Sequence, residues 1–176
     1  MCANSIRAVH RGEIAQADAL IEQARSVARG ITDDLRDHPD LYHAGYVQDA
    51  LKELVEAIAT HGLVTGQGLP APSALGIPVP AFLNGLAECV GELRRWVLDQ
   101  LRQGDLSRCE SILQTMDDIY GLLVTIDYPD ALTGGLRRTT DLARGILERT
   151  RGDLTFALRQ QHLEAALARV ESDLQT

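Results

Sequence analysis

The chain has 176 residues, 45% hydrophobic and 24% charged, which is the composition of a folded domain with a core of its own rather than of a disordered chain. Its net charge of −8 is the wrong overall sign for a basic nucleic-acid coat, although arginines gathered on one surface would still bind phosphate. No apolar run approaches the roughly 20 residues that cross a bilayer.

The N-terminal stretch MCANSIRAVHRGEIAQADAL carries charges and Gly where a secretory leader would be apolar. Three widely spaced cysteines, Cys2, Cys89 and Cys109, form neither a disulfide framework nor a zinc pattern. The expectation is one cytoplasmic domain over residues 1–176, without membrane contact.

Strand signals are poor, and apolar residues recur at spacings of three and four, so the sequence predicts an all-α bundle of five main helices whose neighbours run antiparallel. The first spans about Ser5 to Asp37, with Ala8, Ala15, Ala19, Ile21, Ala24, Ala28 and Ile31 as a narrow stripe, and Pro39 stops it. The second spans Leu41 to His61, with Val47, Leu51, Leu54 and Ile58 inward and Gly62 as its stop. GLVTGQGLPAPSALGIPVP follows, and its four prolines and four glycines make it a loop long enough to be a crossover connection or a lid, the crossover being preferred.

The third helix spans Ala81 to Gln103 and buries Leu83, Leu86, Val90, Leu93, Val97 and Leu101. The fourth spans Leu106 to Ile126. The last runs from Leu132 to Leu174, with Gly145 and Gly152 as points where it could bend or split. Its length and its terminal Leu and Val residues are those of a helix that reaches another subunit.

Chemistry is hinted at in one place. Glu53 and Glu56 lie on one face of the second helix, and Glu88 and Glu92 lie on one face of the third. Like charges at these spacings cost about a few tenths of a kcal/mol on an isolated helix. On helical wheels both pairs lie opposite the apolar stripes, which reads as solvated surface. Gly85, Gly91, Ala50, Ala57 and Ala87 argue the other way, since small residues beside acids leave room for a neighbouring backbone or a ligand. Converging carboxylates would need a divalent cation, and an all-oxygen set suits Mg²⁺ or Mn²⁺. Carboxylate-held metal of that kind activates water and neutralises phosphate, which points to phosphodiester or pyrophosphate hydrolysis.

Sixteen of the 17 basic residues are Arg. Arg94 and Arg95 follow Glu92, while Arg137 and Arg138 open an Arg-rich C-terminal stretch. These four are candidate phosphate contacts, with an ion-paired helix face as the other reading. The five histidines show no ligand spacing, and Trp96 is the best single candidate for base stacking.

Three segments together, LYHAGYVQDALKELVEA, FLNGLAECVGELRR and GLRRTTDLARGILERTRGDLT, resemble the translin family, nearer to translin-associated factor X and its short archaeal relatives than to translin itself. The likeness spans about Ala24 to Leu158. It implies an all-α fold of about seven helices assembled into a closed, hollow homo-oligomer, commonly an octamer, with nucleic acid inside. The factor X branch is similar to a metal-dependent endoribonuclease acting on single-stranded RNA. Its acidic site has two Glu three apart and, on the next helix, an Asp and a Glu four apart. Glu53, Glu56 and Glu92 match that set, and Glu88 stands where the family has Asp, one methylene longer. The resemblance therefore implies a Mg²⁺- or Mn²⁺-dependent endoribonuclease with Glu53, Glu56, Glu88 and Glu92 as metal ligands or water-orienting groups. Two alternatives stay open: a non-catalytic particle that binds single-stranded RNA or DNA, and an all-α nucleotide pyrophosphatase, whose second acid pair is usually spaced three apart.

Overall fold

A computed structural model describes residues 1–174. They form nine helical segments: α1 (Cys2–His10), α2 (Ile14–Asp34), α3 (Pro39–Tyr42), α4 (Gly45–Thr65), α5 (Pro72–Leu75), α6 (Val79–Gln103), α7 (Cys109–Leu123), α8 (Asp130–Thr133) and α9 (Leu136–Leu174). Three of these, α3, α5 and α8, are single turns that follow or carry a proline and lead into longer helices. The all-α class and the long C-terminal helix stand as expected.

The stripes of the second and third predicted helices are buried, with Val47, Leu51, Leu54 and Ile58 meeting Leu83, Leu86, Val90, Leu93 and Val97 in one core, while Leu101 is only half-buried at its edge. Helix α6 is its axis and packs against α4, α7 and α9. Cys89 and Cys109 are buried there too. Burial pushes the Cys89 thiol up to about 12, so it acts as a small apolar side chain.

Four local expectations change. The first predicted helix is two, because Gly12 sits at φ +74°, a left-handed conformation that breaks the helical path where a Cβ would be strained. The chain reverses there, closed by hydrogen bonds from Gly12 N to Val9 O and Glu13 N to Ala8 O. Within α2 the buried face is Ala17, Ile21 and Ala24, four and three apart, while Ala15 and Ala19 lie off that face and are exposed. Gly62 does not end α4, which runs on to Thr65; it is buried in the last turn, against the main chain of Gly68. Gly145 and Gly152 lie inside an unbroken α9, and the actual break falls earlier, between α8 and α9.

The fourth concerns direction. The long loop is a crossover: Ala74–Ile77 return alongside Leu51 and Leu54, so α6 starts near the start of α4. Arg108, just past the end of α6, donates to Val64 O at the end of α4 (2.7 Å). Helices α4 and α6 therefore run in the same direction. Helices α6 and α7, joined by a short turn at Gly104, reverse as expected, and α1 and α2 reverse at the unexpected turn. Parallel packing of α4 on α6 is what places the two acid pairs at the same level of the bundle.

Candidate active site

Gly85 permits the close approach. A Cβ there would stand 2.5 Å from Lys52 O and 2.8 Å from Val55 Cβ, so only Gly lets α6 lie this close to α4. The two acid pairs then face one cavity of roughly 500 Å³, lined by Glu53, Glu56, Glu88 and Glu92, by Lys52 and Arg95, and by Cys2, Ala3, Ile6 and Arg7 of α1. Gly91 has no such role, since its nearest neighbour would be Ile146 Cδ1 at 3.9 Å. Ala57 and Ala87 are core residues and do not floor the cavity.

The acids are half-buried except Glu53, which is exposed. A wheel drawn for α4 or α6 alone shows solvent on that side. The cover comes from α1, which the turn at Gly12 folds back and the buried Ile6, Ala8 and Val9 anchor.

Glu88 and Glu92 each have a cation beside them. Lys52 Nζ lies 2.9 Å from Glu88 Oε1. Burial alone would lower the Lys52 ammonium, but its hydrogen bond and charge pairing with Glu88 outweigh that and raise it. Glu92 Oε2 lies 2.5 Å from His10 Nε2 and 3.8 Å from Arg95. The hydrogen bond with His10, working against burial, holds Glu92 below its ordinary carboxylate value. Glu56 is the exception. Burial first, then the charges of Glu88, Glu92 and Glu53, push it up to about 7, with only Lys52 opposing. The cavity thus carries more negative charge than its own cations neutralise.

The four carboxylates share the cavity without converging on one point: among the described residues no three His, Cys, Asp or Glu side chains form a ready-made ion site. Lys52 and His10 each hold one of them to a side. Their chemistry nonetheless fits a hard divalent ion, which takes carboxylate oxygen and would relieve the repulsion around Glu56.

Of the four arginines read as phosphate contacts, only Arg95 lines this cavity. Arg94 turns to α9, where it bonds Thr150 Oγ1 (3.1 Å) and Asp153 (2.8 Å). Arg137 lies 3.8 Å from Asp127 beside a different hollow, lined by Tyr128 and Thr140 among others. Arg138 is an exposed residue in the first turn of α9. Trp96 carries the Arg108 guanidinium 5.3 Å from its ring centroid and is half-buried, so it is no open stacking platform. His61, at the opposite side of α4, is near Asp18 of α2 and not near the acids.

Three residues of the site escape a reading by spacing: Arg7 and Lys52 of the lining, and His10, which meets Glu92. Arg7 and His10 belong to α1, and their place depends on the reversal at Gly12. Lys52 was visible as the single Lys of the chain, one position before Glu53.

No protein-family model matches the chain. An uncharacterised protein of Methanocaldococcus jannaschii is 30% identical over 176 residues, which cover 98% of this chain and 77% of that protein. Among solved structures, AfC3PO in complex with duplex RNA is 36% identical at a TM-score of 0.84, covering 90% of this chain and 82% of its own. AfC3PO on its own is 34% identical at 0.82, covering 90% and 83%. Apo-NeC3PO, 22% identical at 0.80 over 89% and 81% of the two chains, shares the fold. Fold and likeness together define an all-α protein of the C3PO type, the type that translin and its associated factor represent. The chain belongs to the translin family.

Proposed function

We propose that this protein is a metal-dependent endoribonuclease working inside a homo-oligomeric particle, with Glu53, Glu56, Glu88 and Glu92 holding Mg²⁺ or Mn²⁺. The observation that carries this is the common cavity of the two acid pairs, where Glu56 is left uncompensated and pushed up to about 7. Partial burial among like charges costs stability, and a bound cation would offset that cost. When bound, the ion supplies an activated water and neutralises charge on the phosphate.

The chain's own residues do the rest. Arg95 and Arg7 stand at the cavity wall and attract the phosphate backbone into an otherwise acidic hollow. Glu88 would join the ligand set, and Lys52, which pairs with it at 2.9 Å in this structure, would face the phosphate. Glu88 in place of the family's Asp reaches one methylene further and matches the Lys52 contact it makes.

RNA is the substrate class because AfC3PO was solved with duplex RNA and the chain resembles the branch that cuts single strands. The homo-oligomer, with an octamer as the family's common form, rests on α9. From Phe156 onward its Leu163, Leu167, Val170 and Leu174 are exposed at spacings of three and four, the pattern of a helix seam.

The test is end-labelled RNA, single-stranded and duplex, incubated with Mg²⁺, Mn²⁺ or EDTA beside a Glu56→Ala, Glu92→Ala double variant. Metal-dependent cutting by the wild type and at least about a hundredfold loss in the variant is expected. RNA that shifts on a gel but stays intact under every condition would leave a binding particle. Hydrolysis of nucleoside triphosphates without RNA cleavage would favour the pyrophosphatase.

A further inference from the structure

His10 is the last residue of α1, and its side chain is 4% exposed. Its Nε2 meets Glu92 Oε2 at 2.5 Å. Its Nδ1 is buried and has no partner among the described residues. A histidine kept for packing alone would leave a polar nitrogen unsatisfied where an apolar side chain would serve better. The ring makes one polar contact, and that contact is to a carboxylate of the acidic cavity.

The geometry of that contact is specific. His10 and Arg95 both meet Oε2 of Glu92, so Oε1 is left without a partner among the described residues. Helix α1 is itself fixed, by the turn at Gly12 and by the buried Ile6, Ala8 and Val9. An Nε2–H donor on such a helix restricts the rotamers of Glu92, which otherwise has three rotatable bonds to immobilise when an ion arrives.

We propose that His10 is a positioning residue that fixes Glu92 as an ion ligand, with Oε2 held from behind and Oε1 presented to the ion. This rests on the metal reading above. Groups that hydrogen-bond a ligating carboxylate from outside tune affinity by about 10- to 100-fold when removed.

Mn²⁺ binding, followed by titration calorimetry and by the loss of the free-ion paramagnetic resonance signal, tests it in four proteins: wild type, His10→Gln, His10→Asn and His10→Leu. Gln places an amide nitrogen near the position of Nε2. Asn is a methylene too short to reach Glu92, and Leu has no donor. The inference expects Mn²⁺ affinity to fall about 10- to 100-fold in the Asn and Leu variants and to stay within about threefold of wild type in Gln. Circular dichroism checks that each variant folds; if Leu does not, the Asn and Gln pair decides. Wild-type affinity in the Asn or Leu variant would overturn the positioning role and leave the metal reading standing. Absence of Mn²⁺ binding in the wild type would instead overturn the metal reading, and this inference with it.

Discussion

Glu56 holds the site's electrostatic signature. Its folded pKa of about 7 lies above its ordinary 4.5, so between those pH values the folded state binds more protons than the unfolded one. Stability therefore falls as pH rises through that window, and below about 4.5 the penalty is absent. Removing the charge removes the penalty. In EDTA at pH 8, Glu56→Gln should melt about 3–6 °C above the wild type, corresponding to about 1–2 kcal/mol once partial exposure is allowed for. At pH 4.5 the two should melt together. Thermal unfolding at the two pH values checks this, and a higher melting temperature for the variant at pH 4.5 alone would reverse the sign. Metal binding should also release protons below pH 7, so Mn²⁺ affinity should climb between pH 6 and pH 8, a trend that calorimetry at three pH values would read.

Among the helices, the contact that makes the site is α4 on α6, and Gly85 is its narrowest point. Gly85→Ala must push Lys52 O or Val55 away, with an expected loss of about 1–3 kcal/mol. Gly91→Ala, with nothing nearer than 3.9 Å, should gain up to about 1 kcal/mol from helix propensity. Chemical denaturation of the two variants separates packing from propensity, and equal effects would contradict the account. Element by element, α4 and α6 were legible in the sequence because their apolar stripes are long and strictly periodic. The crossover was legible because Pro and Gly at this density end α4 and delay α6, although Pro72–Leu75 still forms a helical turn within it. The break at Gly12 was not, since a single Gly inside an Ala-rich helical pattern is tolerated and HRGE lacks a proline. With it went the position of α1. The acid spacings could be read, and the wall that half-buries them could not, because a wheel describes one helix and burial here is made by another.

The whole molecule has one feature that a single chain does not satisfy. Helix α9 packs its first half against α6 and α7 through Leu136, Ala143, Leu147 and Leu154, while Leu163, Leu167 and Val170 remain exposed. Substituting Leu163 and Leu167 together by Gln should shift the protein to smaller species in sedimentation without lowering its melting temperature at low concentration, because neither residue touches the core of its own chain. An unchanged distribution would move the assembly surface elsewhere. A closed particle would also reconcile the net charge of −8 with an RNA substrate, since charge can be segregated between the two faces of a shell.

The central claim is that the acids of α4 and α6 hold a divalent ion in the cavity beneath α1. Anomalous diffraction from crystals grown with Mn²⁺ tests it most directly. The account predicts a peak in that cavity, among the carboxylates of Glu53, Glu56, Glu88 and Glu92. A cavity without a peak, at Mn²⁺ concentrations that support RNA cleavage, would contradict it.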